Sequence, residues 1–212
     1  MLKGCDVSNW QNSMCFSGYD FVMMKSSEGV AYRDTKLETH LSNAKASGCK
    51  YGFYHYARPD YGNSAYDEAM FFVLQVKDYL PCMLALDWEG NALKYDVSWA
   101  LEFLNTVYNQ TGIRPLIYMS DSVEDNSAYK TLYEHNYGLW VANWGAKSPN
   151  AVTWPFWVMW QYTNTPFDHD YFNGDETTWN AYITPDIVSP DESASEKLDK
   201  IINLAREVKE GL

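Results

Sequence analysis

Short apolar runs alternate with longer amphipathic stretches along most of this chain. Lys3–Val7, Asp20–Lys25, Tyr51–Tyr56, Cys82–Asp87, Pro115–Met119, Gly138–Ala142 and Trp157–Trp160 have the length and residue types of buried strands. A further strand is expected around Phe167–Phe172. Helical spacing fills the gaps between the early runs, at about Thr35–Ser47, Ser64–Tyr79, Val97–Thr111 and Asp121–His135. In the second of these, Ala65, Ala69, Phe72, Val73 and Val76 recur on one face. Gly112 stands where the third should stop. Strands alternating with helices imply βαβ units, and eight strands within about 170 residues predict an α/β fold closed into an irregular TIM-like barrel. The runs after residue 138 lie too close together to be separated by full helices, so the second half of the barrel is expected to be irregular.

From about Pro185 the texture changes. Residues 1–185 read as the barrel domain and residues 186–212 as a linker with a C-terminal helix. Ser193-Ala-Ser-Glu196 has the form of a capping box, and Leu198, Ile201, Ile202, Ala205 and Val208 share one helical face beyond it. That face can pack back on the barrel, lead to another module or serve self-association.

Composition narrows the function. Of the 212 residues, 46% are apolar, enough for a large core, and 17% are aromatic, with 17 Tyr and 9 Trp. A flat apolar face with a polar edge suits sugar rings as well as it suits a core. A formal net charge of −12 excludes the basic footprint that nucleic acid needs. Cys5, Cys15, Cys49 and Cys82 match no metal-binding spacing and imply no disulfide framework. No charged leader with an apolar run follows Met1, so no signal peptide is expected. No stretch approaches the ~20 apolar residues of a membrane span.

In a barrel of this kind, functional groups gather at the carboxyl ends of the strands. The runs deliver Asp6 with Ser8, Asn9 and Trp10, then Lys25-Ser-Ser-Glu28 with Tyr32, then His55-Tyr-Ala-Arg58, Asp87-Trp-Glu89 and Asp168-His-Asp170. Asp87 and Glu89, two apart, should face the same way with Cβ atoms roughly 6–7 Å apart. Burial and mutual repulsion would keep one of them protonated near neutrality, giving the acid and the anion that glycosidic cleavage uses. Converging carboxylates also suit Mg²⁺ or Ca²⁺. Here they are interleaved with Trp, Tyr and His, and neither a metal nor another cofactor is expected. No G-x-S-x-G turn supports a serine nucleophile. His55 can be read as a group orienting a carboxylate, as a sugar contact or as a structural histidine.

The motifs line up with a family. Gly4-Cys-Asp6-Val-Ser8-x-Trp10-Gln11, Lys25-Ser-Ser-Glu28-Gly, Gly52-Phe-Tyr-His55-Tyr-Ala-Arg58, Leu86-Asp87-Trp-Glu89, Ile117-Tyr118, Leu139-Trp140-Val-Ala142, Trp160-Gln161-Tyr162 and Pro166-Phe-Asp168 resemble, in order and spacing, the family-25 glycoside hydrolases. These are lysozymes of the Chalaropsis type, found as catalytic domains of phage endolysins and autolysins. The resemblance covers roughly residues 1–175 and implies a flattened (β/α)5(β)3 barrel. It also implies cleavage of the β-1,4 bond between N-acetylmuramic acid and N-acetylglucosamine in bacterial peptidoglycan, with retention. By motif position it implies Glu89 as proton donor, Asp87 as partner carboxylate, and Asp6 and Asp168 as further acids of the site. Asp170 does not match and is left outside that set. Lys25, Glu28, Tyr32, Tyr56, Tyr118 and Trp144 fall where the family lines its sugar groove. A glucosaminidase or chitinase-like enzyme, or a non-catalytic glycan-binding barrel, are the alternatives. Because Gram-positive walls are anionic, Lys25 and Arg58 are expected to supply local attraction that the net charge does not.

Overall fold

The computed structural model describes residues 1–12, 14–149 and 151–186. In chain order the elements are β1 (Leu2–Val7), β2 (Phe21–Glu28), β3 (Tyr32–Arg33), α1 (Leu37–Ala46), β4 (Lys50–Tyr56), α2 (Ala65–Val76), β5 (Met83–Asp87) and α3 (Val97–Thr111). They continue with β6 (Leu116–Ser120), α4 (Asp121–Glu124), α5 (Lys130–Glu134), β7 (Gly138–Ala142), β8 (Met159–Thr163), β9 (His169–Phe172) and α6 (Glu176–Ile183). The strands follow one another as β1-β9-β8-β7-β6-β5-β4-β2, and β1 pairs with β2, so eight strands close a barrel with β3 as a short outer addition. Every neighbouring pair around the barrel is parallel except those of β9, which runs antiparallel to both β8 and β1.

Local chemistry sets the helix ends. The Ser64 side chain accepts the Asp67 N–H and starts α2, Asp96 accepts the Ser98 N–H at the start of α3, and Gly112 ends α3 at φ 71°. The expected single helix over Asp121–His135 is instead two short helices around a 3-10 turn at Ser127–Tyr129. Asn126 there turns its side chain onto the Ala128 N–H, and Glu124 spends its carboxylate on the Val152 and Thr153 N–H groups. Such side-chain-to-backbone bonds compete with helix continuation. The strand expected at Trp157–Trp160 sits a little later in the chain, at Met159–Thr163. Helices intervene after β2, β4, β5 and β6, while 143–158 between β7 and β8 is loop among its described residues, as the crowded second half foretold. Helix α6 was not foreseen. The expected linker and C-terminal helix lie, beyond Asp186, outside the described residues.

Alternation divides the core in two. Outward-facing strand residues such as Val22, Phe53, Leu84 and Ile117 pack with the helices. Inward-facing ones such as Phe21, Met23, Met83, Leu116 and Phe172 fill the lower barrel. Gly52 lets that filling close up, since a Cβ there would sit 2.5 Å from the Met23 sulfur. Trp179 of α6 stops the barrel's lower end, its ring 5.0 Å from Phe21 and 5.1 Å from Phe172. Chemistry is thereby left to the other end. Among the described residues no helix is long and apolar enough to cross a membrane.

Candidate active site

Going up the barrel, the inward positions change from apolar to polar. Asp6 follows Gly4 on β1, Lys25 follows Met23 on β2, and Tyr54 and Tyr56 follow Gly52 on β4. Asp87 follows Ala85 on β5, Tyr118 follows Leu116 on β6, and Gln161 follows Met159 on β8. Together with Glu89, Trp140, Trp144, Asp168, Asn164 and the Ser8–Gln11 loop, these side chains line a cleft of about 410 Å³ at the mouth. The tripeptide at the end of β5 shows the alternation directly. Asp87 points in and is 8% exposed, while Trp88 points out, fully buried, stacks 5.5 Å from Trp99 and donates its indole N–H to Tyr129. Glu89, in extended backbone, returns to the cleft at its open face.

The electrostatics favour protons on these acids. Burial, then the nearby Glu89, pushes Asp87 well above the carboxylate range, and Lys25 pulls the other way. Glu89 is raised by burial and by Asp168, again opposed by Lys25. Asp6 is pushed up to about 7 by burial and by Asp168, and hydrogen bonds from Gln161 and Asp170 hold it lower than it would otherwise lie. Asp168 is raised by burial. The acids raise one another's proton affinity and so titrate as a set. Asp87 Oδ1 is buried without a hydrogen-bond partner among the described residues. A buried oxygen left so is costly unless a ligand completes it.

Gln161 ties the opposite wall together. Its Nε2 donates to Asp6 Oδ2 at 2.7 Å, and its Oε1 accepts from Tyr118 Oη at 3.0 Å and Trp144 Nε1 at 2.9 Å. Trp144 is thus fixed at its polar edge while its ring stays 55% exposed. Trp10, 85% exposed, lines the same cleft from the loop after β1.

Of the sequence-derived residues, Asp6, Asp87, Glu89, Asp168, Lys25, Tyr56, Tyr118 and Trp144 meet in this cleft. Glu28 and Tyr32 do not. They line a separate notch beside it with Val30, Tyr61 and Asn63. His55 is outside the cleft altogether, sealed behind the sheet between Ser27 and Glu68. The attraction expected of Lys25 and Arg58 is largely spent internally. Glu28 accepts Lys25 Nζ at 2.7 Å and Arg58 Nη1 at 2.6 Å, and Arg58 forks onto Asp60 as well. Tyr54, Trp140 and Gln161 were missed as site residues. Gln161 had left one signal, a polar residue between two aromatics in a strand. Among the described residues no group of three or more acidic, His or Cys side chains is arranged to hold a metal ion.

Comparison with known proteins agrees with this geometry. The family model described as Glycosyl hydrolases family 25 matches residues 5–170. The chain is 28% identical over 202 residues to lysozyme M1 of Streptomyces globisporus, covering 82% of this chain and 68% of that protein. It is 26% identical over 184 residues to an N,O-diacetylmuramidase of Chalaropsis sp, covering 76% and 87% respectively. The solved structure of a family GH25 lysozyme from Aspergillus fumigatus superimposes with a TM-score of 0.77 at 26% identity, covering 86% of this chain and 99% of that one. A closed eight-stranded barrel with its acids at one mouth and a family match over most of its length thus lead to one conclusion: the chain belongs to glycosyl hydrolases family 25.

Proposed function

We propose that this protein is a lysozyme, an N-acetylmuramidase that hydrolyses the β-1,4 bond between N-acetylmuramic acid and N-acetylglucosamine in peptidoglycan and so acts on the bacterial cell wall. The observation that carries the reading is the inward-facing Asp87 and Glu89 pair, both with raised proton affinity, in a cleft flanked by exposed Trp10 and Trp144. The names of the relatives, lysozyme and muramidase, support the same substrate.

Glu89 stands at the open face, where a protonated carboxyl can reach the oxygen of the leaving sugar, and is the general acid. Asp87 lies deeper, with an oxygen free to meet the reacting sugar from below. It either attacks the anomeric carbon or steadies the substrate's own N-acetyl group as that group attacks; both routes retain configuration. Lys25, held over the Tyr56 ring at 4.8 Å, lowers the proton affinity of both acids against the effect of burial. Tyr56, Tyr118 and Trp144 line the sugar groove, and Glu28 and Tyr32 extend it into the adjoining notch.

The test is digestion of purified peptidoglycan followed by mass spectrometry of the fragments. New reducing ends at muramic acid are expected, with Glu89→Gln reduced about 10³-fold. Reducing N-acetylglucosamine instead would make the enzyme a glucosaminidase. Glycan binding with no turnover at any pH would leave only a binding barrel.

A further inference from the structure

Asp170 belongs to none of the assignments above, yet it is the most enclosed acid of the barrel, with no solvent exposure. It faces inward from β9, opposite Gly4 on β1 and Gln161 on β8. Its Oδ1 accepts the indole N–H of Trp140 at 2.8 Å. Its Oδ2 meets no N–H or O–H donor among the described residues. Asp6 is the next inward residue after Gly4 on β1, and the side chain of Gln161, the β8 residue opposite Asp170, reaches Asp6, so the two carboxyls stand side by side in the barrel.

Two carboxyls can share a hydrogen bond only if one of them carries a proton. The surroundings decide which. Asp6 lines the cleft and takes the Gln161 N–H at 2.7 Å, a bond that favours an anion. Asp170 has a single donor and no contact with water, and an ionised carboxylate there would leave a bare oxygen against another negative charge. We infer that Asp170 is a permanently protonated positioning residue, whose Oδ2–H donates to Asp6 and holds that carboxylate aimed into the cleft. The groups facing the pair are consistent with this. Asp168 and Glu89 act on Asp6 from the mouth, and Trp140 and Gln161 approach from β7 and β8. Burial followed by Asp6 raises the proton affinity of Asp170 well above the carboxylate range.

The inference deepens the glycosidase reading, since the effect of Asp170 on turnover passes through Asp6. Its test separates the two. Asn at 170 can accept from Trp140 with Oδ1 and donate to Asp6 with Nδ2, whereas Leu can do neither. Asp170→Asn should keep kcat within a few-fold of wild type with an unchanged pH profile. Asp170→Leu should lose at least tenfold in kcat, and the acid limb of its profile should move to higher pH because Asp6 loses a donor. Infrared difference spectra of the intact protein at pH 9, wild type against Asp170→Asn, should contain a protonated-carboxyl band in the wild type alone. This readout needs neither turnover nor the Leu variant to fold. No such band, or an Asp170→Asn variant as inactive as one lacking a side chain there, would overturn the inference. The band present in a protein without muramidase activity would uphold it while sinking the muramidase reading.

Discussion

Two buried polar clusters lie on opposite faces of the barrel sheet, and they differ in how completely they are satisfied. Behind the sheet, Ser27 Oγ lies 2.9 Å from His55 Nδ1, and His55 Nε2 lies 2.9 Å from Glu68 Oε2. The Glu68 carboxylate also accepts the Arg58 N–H and the Asn63 amide, and all three principal side chains are fully enclosed. In outline this is a Ser–His–acid relay. No opening reaches Ser27, every member has its partners, and the network staples β2, β4 and α2 together. Inside the barrel the opposite holds. Of the buried side-chain atoms without a partner among the described residues, two of three are carboxylate oxygens there, on Asp87 and Asp170, the third being Nδ1 of His40. Completed hydrogen bonding marks architecture, and an unmet acceptor marks the place kept for substrate or for a proton.

Substitutions that exchange the roles of the two clusters would break this contrast. The largest effect is expected from Asp87→Asn: kcat falls about 10³-fold while the melting temperature does not drop, because the change touches a carboxyl whose Oδ1 the fold does not use. A variant that melts early would return Asp87 to the architectural class. Next, Glu68→Ala should cost about 3 kcal/mol in denaturant unfolding, since it strands a buried histidine and two N–H donors, and the protein that remains folded should keep its turnover. Loss of activity at full stability would instead connect the relay to the chemistry.

Acidity should move the two clusters in opposite directions. Asp6, raised from 3.8 to about 7, prefers its proton in the folded state, so its contribution to stability is full below pH 4 and is lost as pH climbs through 7. His55, lowered from 6.5 by burial, prefers to be neutral, so its contribution is full above pH 6.5 and is lost as pH falls below it. Thermal melts between pH 4 and 8 should therefore show Asp6→Asn flattening a decline toward high pH and His55→Gln flattening a decline toward low pH. A change of the same sign in both would contradict the assignment. The smallest effect is expected at the rim. Trp144→Ala should raise KM for glycan about fivefold with kcat little changed, as the loss of one stacking face would do.

Much of this was legible in the chain because barrel strands end where their chemistry begins. Asp87 and Glu89 could be placed on one face from their spacing alone, and the helix-poor second half followed from crowded strand runs. What sequence could not supply was phase. Strands covered on both sides read as continuous apolar runs, so nothing separated inward Tyr54 from outward His55. Lys25 and Glu28, three apart, would point to opposite faces in a regular strand. An irregularity between Lys25 and Ser27 brings them together and neutralises the lysine that had been expected to meet the wall. Asp170 was set aside because the motif passes it by, and only the pairing of β9 with β1 brings it to Asp6.

The pinned end of the last described segment bears on how the protein can be handled. Asp186 takes the Tyr108 hydroxyl at 2.8 Å and pairs with Arg114, and its N–H bonds to the Gly112 carbonyl, all beside the point where β6 begins. That is the pole away from the cleft. An anchor or fluorophore attached beside Asp186 therefore sits behind the catalytic mouth, and the enzyme can be held from that side with its opening facing the wall.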